Sequence, residues 1–229
     1  MSQNPVVKYF SSSIGRKQVM GLAGIYLYFF LFVHLADNLR LLAGAEDFNR
    51  YAYLLLHTLR GIVMPIEFTL IFAFMLHLVV GLQLTLENRA ARPQRYAVGA
   101  SKAKRGPYSR FMAFSGTWLL IFVIVHVPHF RVGMYSPIDT VVYDGVAMRD
   151  IYGTVMHFFA KGWFTLFYVA SFAILFTHLV HGVNSSLQSV GFNHPRYNPA
   201  IKFISRAYAV LICGGFAGLA IWAYFQRGV

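Results

Sequence analysis

The sequence predicts an all-α integral membrane protein, a bundle of five transmembrane helices with a cytoplasmic amino terminus and an outer carboxyl terminus. Three observations predict it. Of 229 residues, 57% are hydrophobic and only 12% charged, where a soluble domain carries about a quarter charged residues. The apolar residues gather into five runs, each near the ~20 residues that span ~30 Å of hydrocarbon. The cations gather at and near the ends of those runs.

The runs cover 17–39, 61–86, 111–130, 157–183 and 203–225. In lipid a segment must satisfy its own backbone polar groups, so each is expected to be a helix of one single domain. Pro65 falls near the start of the second, Pro128 near the end of the third, and Asn198-Pro199 precedes the fifth, all places where proline is tolerated. The first 13 residues are polar and the first run exceeds a signal h-region of about 7–15 residues, so no cleavable signal is expected.

Orientation follows from the cations. With the amino terminus inside, 13 of the 20 Lys and Arg fall on the inner side, seven of them in 88–110, as the positive-inside rule requires. This placement accounts for the net charge of +12 without a nucleic-acid partner. The one cysteine, Cys213, lies in an apolar run, reads as a small buried residue, and rules out a disulfide within the chain, a c-type haem link and a thiolate cluster.

Four histidines each occupy a different run. His34, His77, His126 and His178 follow the cations Arg16, Arg60, Arg110 and Lys161 by 16 to 18 residues. Ionisable residues in membrane segments are costly and mark function. Because alternate helices run in opposite directions, His34 and His126 fall towards the outer face and His77 and His178 towards the inner one. Two imidazoles at one height, twice over, suit the axial ligands of two b-type haems stacked across a membrane. The competing account, polar side chains hydrogen-bonding between helices, serves one histidine better than four at paired depths. Copper or zinc is disfavoured because no carboxylate or thiol accompanies either pair.

His129 and His181, three residues after two of the ligands, are rivals to them. The spacing favours His126 and His178, leaving His181 as a partner for a propionate or quinone. His57, His157 and His194 read as interfacial or solvated. Candidate propionate partners are Arg16, Lys17, Arg89, Arg110 and Ser189 at the inner face and Arg40, Arg60 and Arg131 at the outer face. Gly24 and Gly116, ten residues before the outer ligands, and Gly81 and Gly182, four after the inner ones, have two readings. They admit a flat ring against the helix, or they let helices pack. Glu67 is a candidate quinone or proton group near the outer start of the second run. A weak internal repeat links Met20, Gly24 and His34 with Met112, Gly116 and His126, and His77-Leu-Val-Val-Gly81 with His178-Leu-Val-His-Gly182.

Taken together, Ser12-Ser13-Ile14-Gly15-Arg16-Lys17, Met20-Gly21-Leu22-Ala23-Gly24 and His34-Leu35-Ala36-Asp37-Asn38 resemble the first helix of one family. It is the cytochrome b subunit of succinate dehydrogenase/fumarate reductase, of the single-chain, five-helix, dihaem bacterial type. His77-Leu-Val-Val-Gly81, Ser115-Gly116 with His126-Val127, and His178-Leu-Val-His-Gly182 with Ser186-Leu-Gln-Ser-Val-Gly191 extend the likeness over the whole chain. The resemblance implies a membrane anchor of respiratory complex II in a bacterial inner membrane. A flavoprotein subunit with covalent FAD and an iron–sulfur subunit would dock on its cytoplasmic face. Electrons would pass between succinate or fumarate and a quinone, by resemblance menaquinone, through two haems. The dicarboxylate chemistry of the tricarboxylic acid cycle would lie in the partners. One departure is Phe176, where some members carry a glutamate two residues before the fourth-helix ligand, so a proton path there is not expected. Two other readings stand beside this one. Anchors of formate dehydrogenase, hydrogenase or nitrate reductase, and bc-type cytochromes, concentrate ligands on fewer helices. A transporter with a histidine relay would normally carry more interior carboxylates.

Overall fold

Apolar composition and capping residues set the helix ends. The computed structural model describes residues 4–90, 111–135 and 140–226, with the Arg89 side chain outside that description. A short helix α1 (Pro5–Ser11) opens on Asn4, whose side chain accepts from Val6 N, with Pro5 in the first turn. Ser12 ends it and caps α2 (Ser13–Asn38) by accepting from Gly15 N. The long helices α4 (Arg60–Ala90), α5 (Met112–Val127), α7 (Gly162–Ser189) and α8 (Asn198–Phe225) follow. Among the described residues, five segments are long and apolar enough to cross a membrane: Ser13–Ala43, Arg60–Asn88, Met112–Val132, Gly162–Ser189 and Asn198–Phe225. These five helices mark a multi-pass membrane protein.

The exposed faces agree. On α4, Ile62, Ile66, Phe68, Ile71, Phe72, Met75, Val79, Leu82 and Leu86 are all exposed. An apolar surface of that extent is unstable in water and ordinary in lipid. Helix α7 holds the centre instead, packing on α2, α5 and α8. It buries Phe164, Tyr168, Phe172, Leu175, Leu179 and Val183. Helices α4 and α5 scarcely touch along the bundle. Near its end away from α1 they are clasped by a bidentate pair, Arg131 Nε and Nη2 donating to Glu67 at 2.7 and 2.9 Å.

Small residues set the α2–α7 seam. A Cβ on Gly24 would lie 3.0 Å from Ser186 Oγ, and one on Gly182 would lie 2.5 Å from the Tyr28 hydroxyl oxygen. Gly24 and Gly182 therefore serve helix packing. A Cβ on Gly81 would meet the Met20 Cε at 3.0 Å, whereas one on Gly116 would meet only His178 Cε1, at 4.0 Å. Of the four glycines, Gly116 alone lies open before a histidine ring.

Two features depart from the expected all-α bundle. The fourth run is not one helix from 157. A separate helix α6 (Ile151–Phe159) precedes a break at Ala160-Lys161, and α7 begins at Gly162. Lys161-Gly162 at the break is the signal in the sequence, four residues inside the expected run. Between α5 and α6 lies a hairpin, β1 (Thr140–Tyr143) with β2 (Val146–Arg149), paired antiparallel. Asp144 and Gly145, with φ of 50° and 76°, make its turn. Asp-Gly is favoured there because both central residues need positive φ.

The hairpin, α6 and a short helix α3 (Ala45–Tyr53) form a cap over the end of the bundle away from α1. Asn49, fully buried, ties the cap together. Its Nδ2 donates to Asp150 Oδ1 at 2.8 Å and its Oδ1 accepts from Tyr152 N at 2.9 Å. Asp150 also accepts from Gly153 N at the start of α6. Arg50 pairs with both Glu46 and the turn residue Asp144.

Gly182→Ala is expected to destabilise the bundle by about 1–3 kcal/mol through overpacking. Adding Tyr28→Phe, which removes the obstructing hydroxyl, should restore most of the loss. Thermal unfolding of the purified protein in detergent measures both.

Candidate metal centres: two histidine pairs

The helices bring the four histidines into two pairs. His34 of α2 faces His126 of α5 with ring centroids 5.9 Å apart and planes at 88°. His77 of α4 faces His178 of α7 at 6.2 Å and 60°. These are the pairs expected from depth. The separations are informative. An imidazole nitrogen lies about 2 Å from a first-row metal it ligates and about 1.1 Å from its own ring centre, so two ligands on opposite sides of one metal place their centroids about 6 Å apart. Both pairs have that span.

The nitrogen atoms are arranged accordingly. Ser115 donates its hydroxyl to the Met112 carbonyl at 3.1 Å, which leaves its oxygen to accept His178 Nδ1–H at 3.0 Å. His126 Nδ1 lies 3.2 Å from the Tyr168 hydroxyl. Asn38 Nδ2 donates to the His34 carbonyl at 2.7 Å and approaches His34 Nδ1 at 3.4 Å. His77 Nδ1 is buried without a partner. Among the described residues no hydrogen bond engages the Nε2 of His34, His126 or His178, while the His77 ring meets the Met20 backbone. Holding Nδ1 and freeing Nε2 is how proteins orient imidazole towards a metal.

Helix geometry gives the separation of the layers. Ser115 touches His178, and His126 lies 11 residues further along the same helix α5. Tyr168 touches His126, and His178 lies 10 residues further along α7. At ~1.5 Å per residue both routes place the pairs about 15–16 Å apart. The His77/His178 layer lies at the end bearing α1, and the His34/His126 layer lies beneath the cap.

The second layer carries a repeated aromatic support. Phe30 stacks on His34 at 5.2 Å and 14°, and Phe122 on His126 at 5.4 Å and 20°. Each is four residues before its histidine, which adds a further matched position to the internal repeat. Phe216 of α8 also contacts His34 and stacks on Phe172. Between the layers Trp118 Nε1 donates to Ser171 Oγ at 2.9 Å.

The rival histidines point elsewhere. His129 Nδ1–H donates to the Val125 carbonyl at 2.7 Å, and its ring sits among Tyr135, Phe158 and Phe164. His181 is half-buried and makes no hydrogen bond among the described residues. His57 stacks on Tyr53, and His194 Nδ1 accepts from Arg196 N. Arg16 is paired with Glu87 through Nη1, while its Nε is buried with no partner. Lys17 is exposed, and Arg110 lies outside the described residues with the other cations of 91–110. Both Glu67 oxygens are engaged by Arg131, so any proton exchange at Glu67 requires that pair to open. Among the described residues no group of three or more His, Cys, Asp and Glu could hold a metal ion. Any metal at these pairs would therefore take two protein ligands and draw its remaining donors from another molecule.

No protein-family model, no curated protein and no solved structure matches this chain.

Above the His34 layer Tyr51 of α3 donates to Asp37 Oδ1 at 2.5 Å, with Arg40 stacked over its ring at 4.2 Å. Burial first, then the hydrogen bond and charge of Asp37, push the Tyr51 phenol up to about 12, against a smaller opposing pull from Arg40. A raised phenol contributes stability that is fully present below pH ~10 and is lost as pH rises through the folded value. Loss of cap stability is thus expected between pH 10 and about 12. Asp37→Asn should move the phenolate transition downward, measured by ultraviolet absorbance against Tyr51→Phe.

Proposed function

We propose that this chain is the dihaem cytochrome b membrane anchor of a succinate:quinone oxidoreductase, carrying electrons across the membrane between an iron–sulfur subunit and a quinone, with menaquinone as the expected species. The observation that carries the reading is the pair of facing histidine couples, each spanning the width of one bis-imidazole metal, stacked about 15–16 Å apart. The sequence likeness of the segments bearing those histidines supplies the choice of partners. A flavoprotein and an iron–sulfur subunit hold the dicarboxylate chemistry, and this chain is the quinone-reactive subunit.

The residues fit the group. Gly116 leaves space before His178, and the ring separations in the two pairs suit ligation of one iron each. Haem b supplies one-electron transfer between ferric and ferrous iron. The chain's own part is to hold that chemistry in place. His34 and His126 would ligate the outer iron, and His77 and His178 the inner. Ser115 and Tyr168 fix the Nδ1 side of two of these rings. Phe30, Phe122, Phe172 and Phe216 keep water from the outer layer. Arg16, Lys17, His181 and Arg110 are the candidate propionate partners at the inner end, and Glu67 with Arg131 the candidate proton group at the outer one.

In this reading the membrane is the bacterial inner membrane. The amino terminus and the 88–110 segment with its seven cations face the cytoplasm, and the cap and carboxyl terminus face outward. The basic inner face suits docking of the iron–sulfur subunit.

The test is haem content and redox titration of variants in the purified complex. His34→Ala and His126→Ala should each remove one haem, and His77→Ala and His178→Ala the other. Loss of neither, or of both from every variant, would overturn the assignment. Ser115→Ala should raise the midpoint potential of the His77/His178 haem alone, because an imidazole that no longer donates from Nδ1 is a weaker ligand to ferric iron.

A further inference from the structure

Asp37 follows His34 by three residues on α2, so the two side chains are neighbours on one face of the helix. Its charge acts on the His34 ring. Among the described residues, the other acids at this end of the bundle are engaged elsewhere. Glu67 is held by Arg131, Asp47 by Arg40, and Glu46 and Asp144 by Arg50. Asp150 bonds Asn49 and the first turn of α6 inside the cap. Asp37 has no cation partner among the described residues.

Its neighbours fix the carboxylate without neutralising it. Tyr51 of α3 donates to its Oδ1 at 2.5 Å, which orients the group. Arg40, the closest cation in sequence, lies over the Tyr51 ring at 4.2 Å and turns its Nη1 to Asp47 at 3.0 Å. Asn38, next to Asp37, donates to the His34 carbonyl at 2.7 Å. The turn that carries the acid is therefore tied to the turn that carries the ligand. Asp37 and Tyr51 are both partly buried, where a charge is screened less than at an open surface.

We propose that the Asp37 carboxylate sets the potential of the outer iron, its fixed and unpaired negative charge stabilising the ferric over the ferrous state. The proposal rests on the reading of His34 and His126 as ligands of one haem iron. Its reach follows from distance. Adjacent side chains on a helix and one metal–imidazole bond place carboxylate and iron about 10 Å apart. A unit charge at that distance, under the effective dielectric of a protein interior, changes the ferric:ferrous ratio roughly tenfold. For a one-electron couple that is ~59 mV. The inner iron, about 15–16 Å further along the bundle, feels far less of it.

The test is a redox titration of the purified full complex, each haem followed by its own electron paramagnetic resonance signal. Asp37→Asn keeps the shape and an acceptor for Tyr51 but removes the charge. It should raise the outer midpoint by about one tenfold step in that ratio and leave the inner midpoint in place. Asp37→Glu, which keeps the charge, should stay near the unaltered value. Glu46→Gln, which removes an arginine-paired acid from the same end, should move neither. Asp37→Ser carries the same expectation as Asp37→Asn if that variant does not assemble. An outer midpoint unmoved by loss of the charge, equal shifts at both haems, or Asp37→Glu behaving as Asp37→Asn would each overturn this inference alone. Absence of a haem at His34 and His126 in the unaltered complex would overturn the dihaem reading itself.

Discussion

The structure depends on one constraint: four imidazoles must be held, two by two, inside helices that otherwise offer only hydrocarbon to their surroundings. A buried ring nitrogen without a partner is expensive in a medium with no water. Here the Nδ1 side of His178 and His126 is settled within the chain, by Ser115 and Tyr168. In each pair the two rings stand about 6 Å apart, the span of a single bis-imidazole metal. The remaining architecture can be understood as support for that arrangement. Helix α7 is central because it carries His178 and also Tyr168, so it touches both layers. Helices α4 and α5 stand apart because each faces across the bundle to a helix that is not its neighbour in sequence. Helix α8 has no histidine and packs on the outside of α7, bringing Phe216 to the His34 ring.

Much of this was legible in the sequence because the relevant signals are periodic or local. Helix number follows from apolar run length, and pairing of the histidines follows from counting residues out from flanking cations. The same count sets His129 and His181 apart from the four paired histidines, and the ring of His129 sits among Tyr135, Phe158 and Phe164. The paired glycines were ambiguous in sequence because a missing side chain admits any neighbour. Only the partner helix decides, and it puts Ser186 against Gly24 and Tyr28 against Gly182, while leaving Gly116 open.

What the sequence hid has equally physical causes. Ser115 and Tyr168 orient imidazoles from a different helix, 63 and 42 residues away, and nothing local marks them. The Glu67–Arg131 clasp joins two helices that barely meet, so the sequence assigns Glu67 a quinone or proton role and Arg131 a propionate role without pairing them. The sequence marks 131–156 as a long outer connection and a candidate cap, but not the elements within it. The hairpin has only four residues per strand, and the break between α6 and α7 is marked only by Lys161-Gly162 within an otherwise apolar stretch. The Asp144-Gly145 turn was the available signal. Phe30 and Phe122 were visible as matched positions of the repeat, but stacking gives them meaning only once the rings are seen.

The central claim, that each histidine pair closes on a single iron, is tested most directly by electron paramagnetic resonance of the fully oxidised purified protein. The account predicts two low-spin ferric signals of unequal anisotropy, the more anisotropic belonging to the pair whose ring planes stand at 88° and the other to the pair at 60°. A high-spin ferric signal, a single low-spin species, or no haem signal would contradict it.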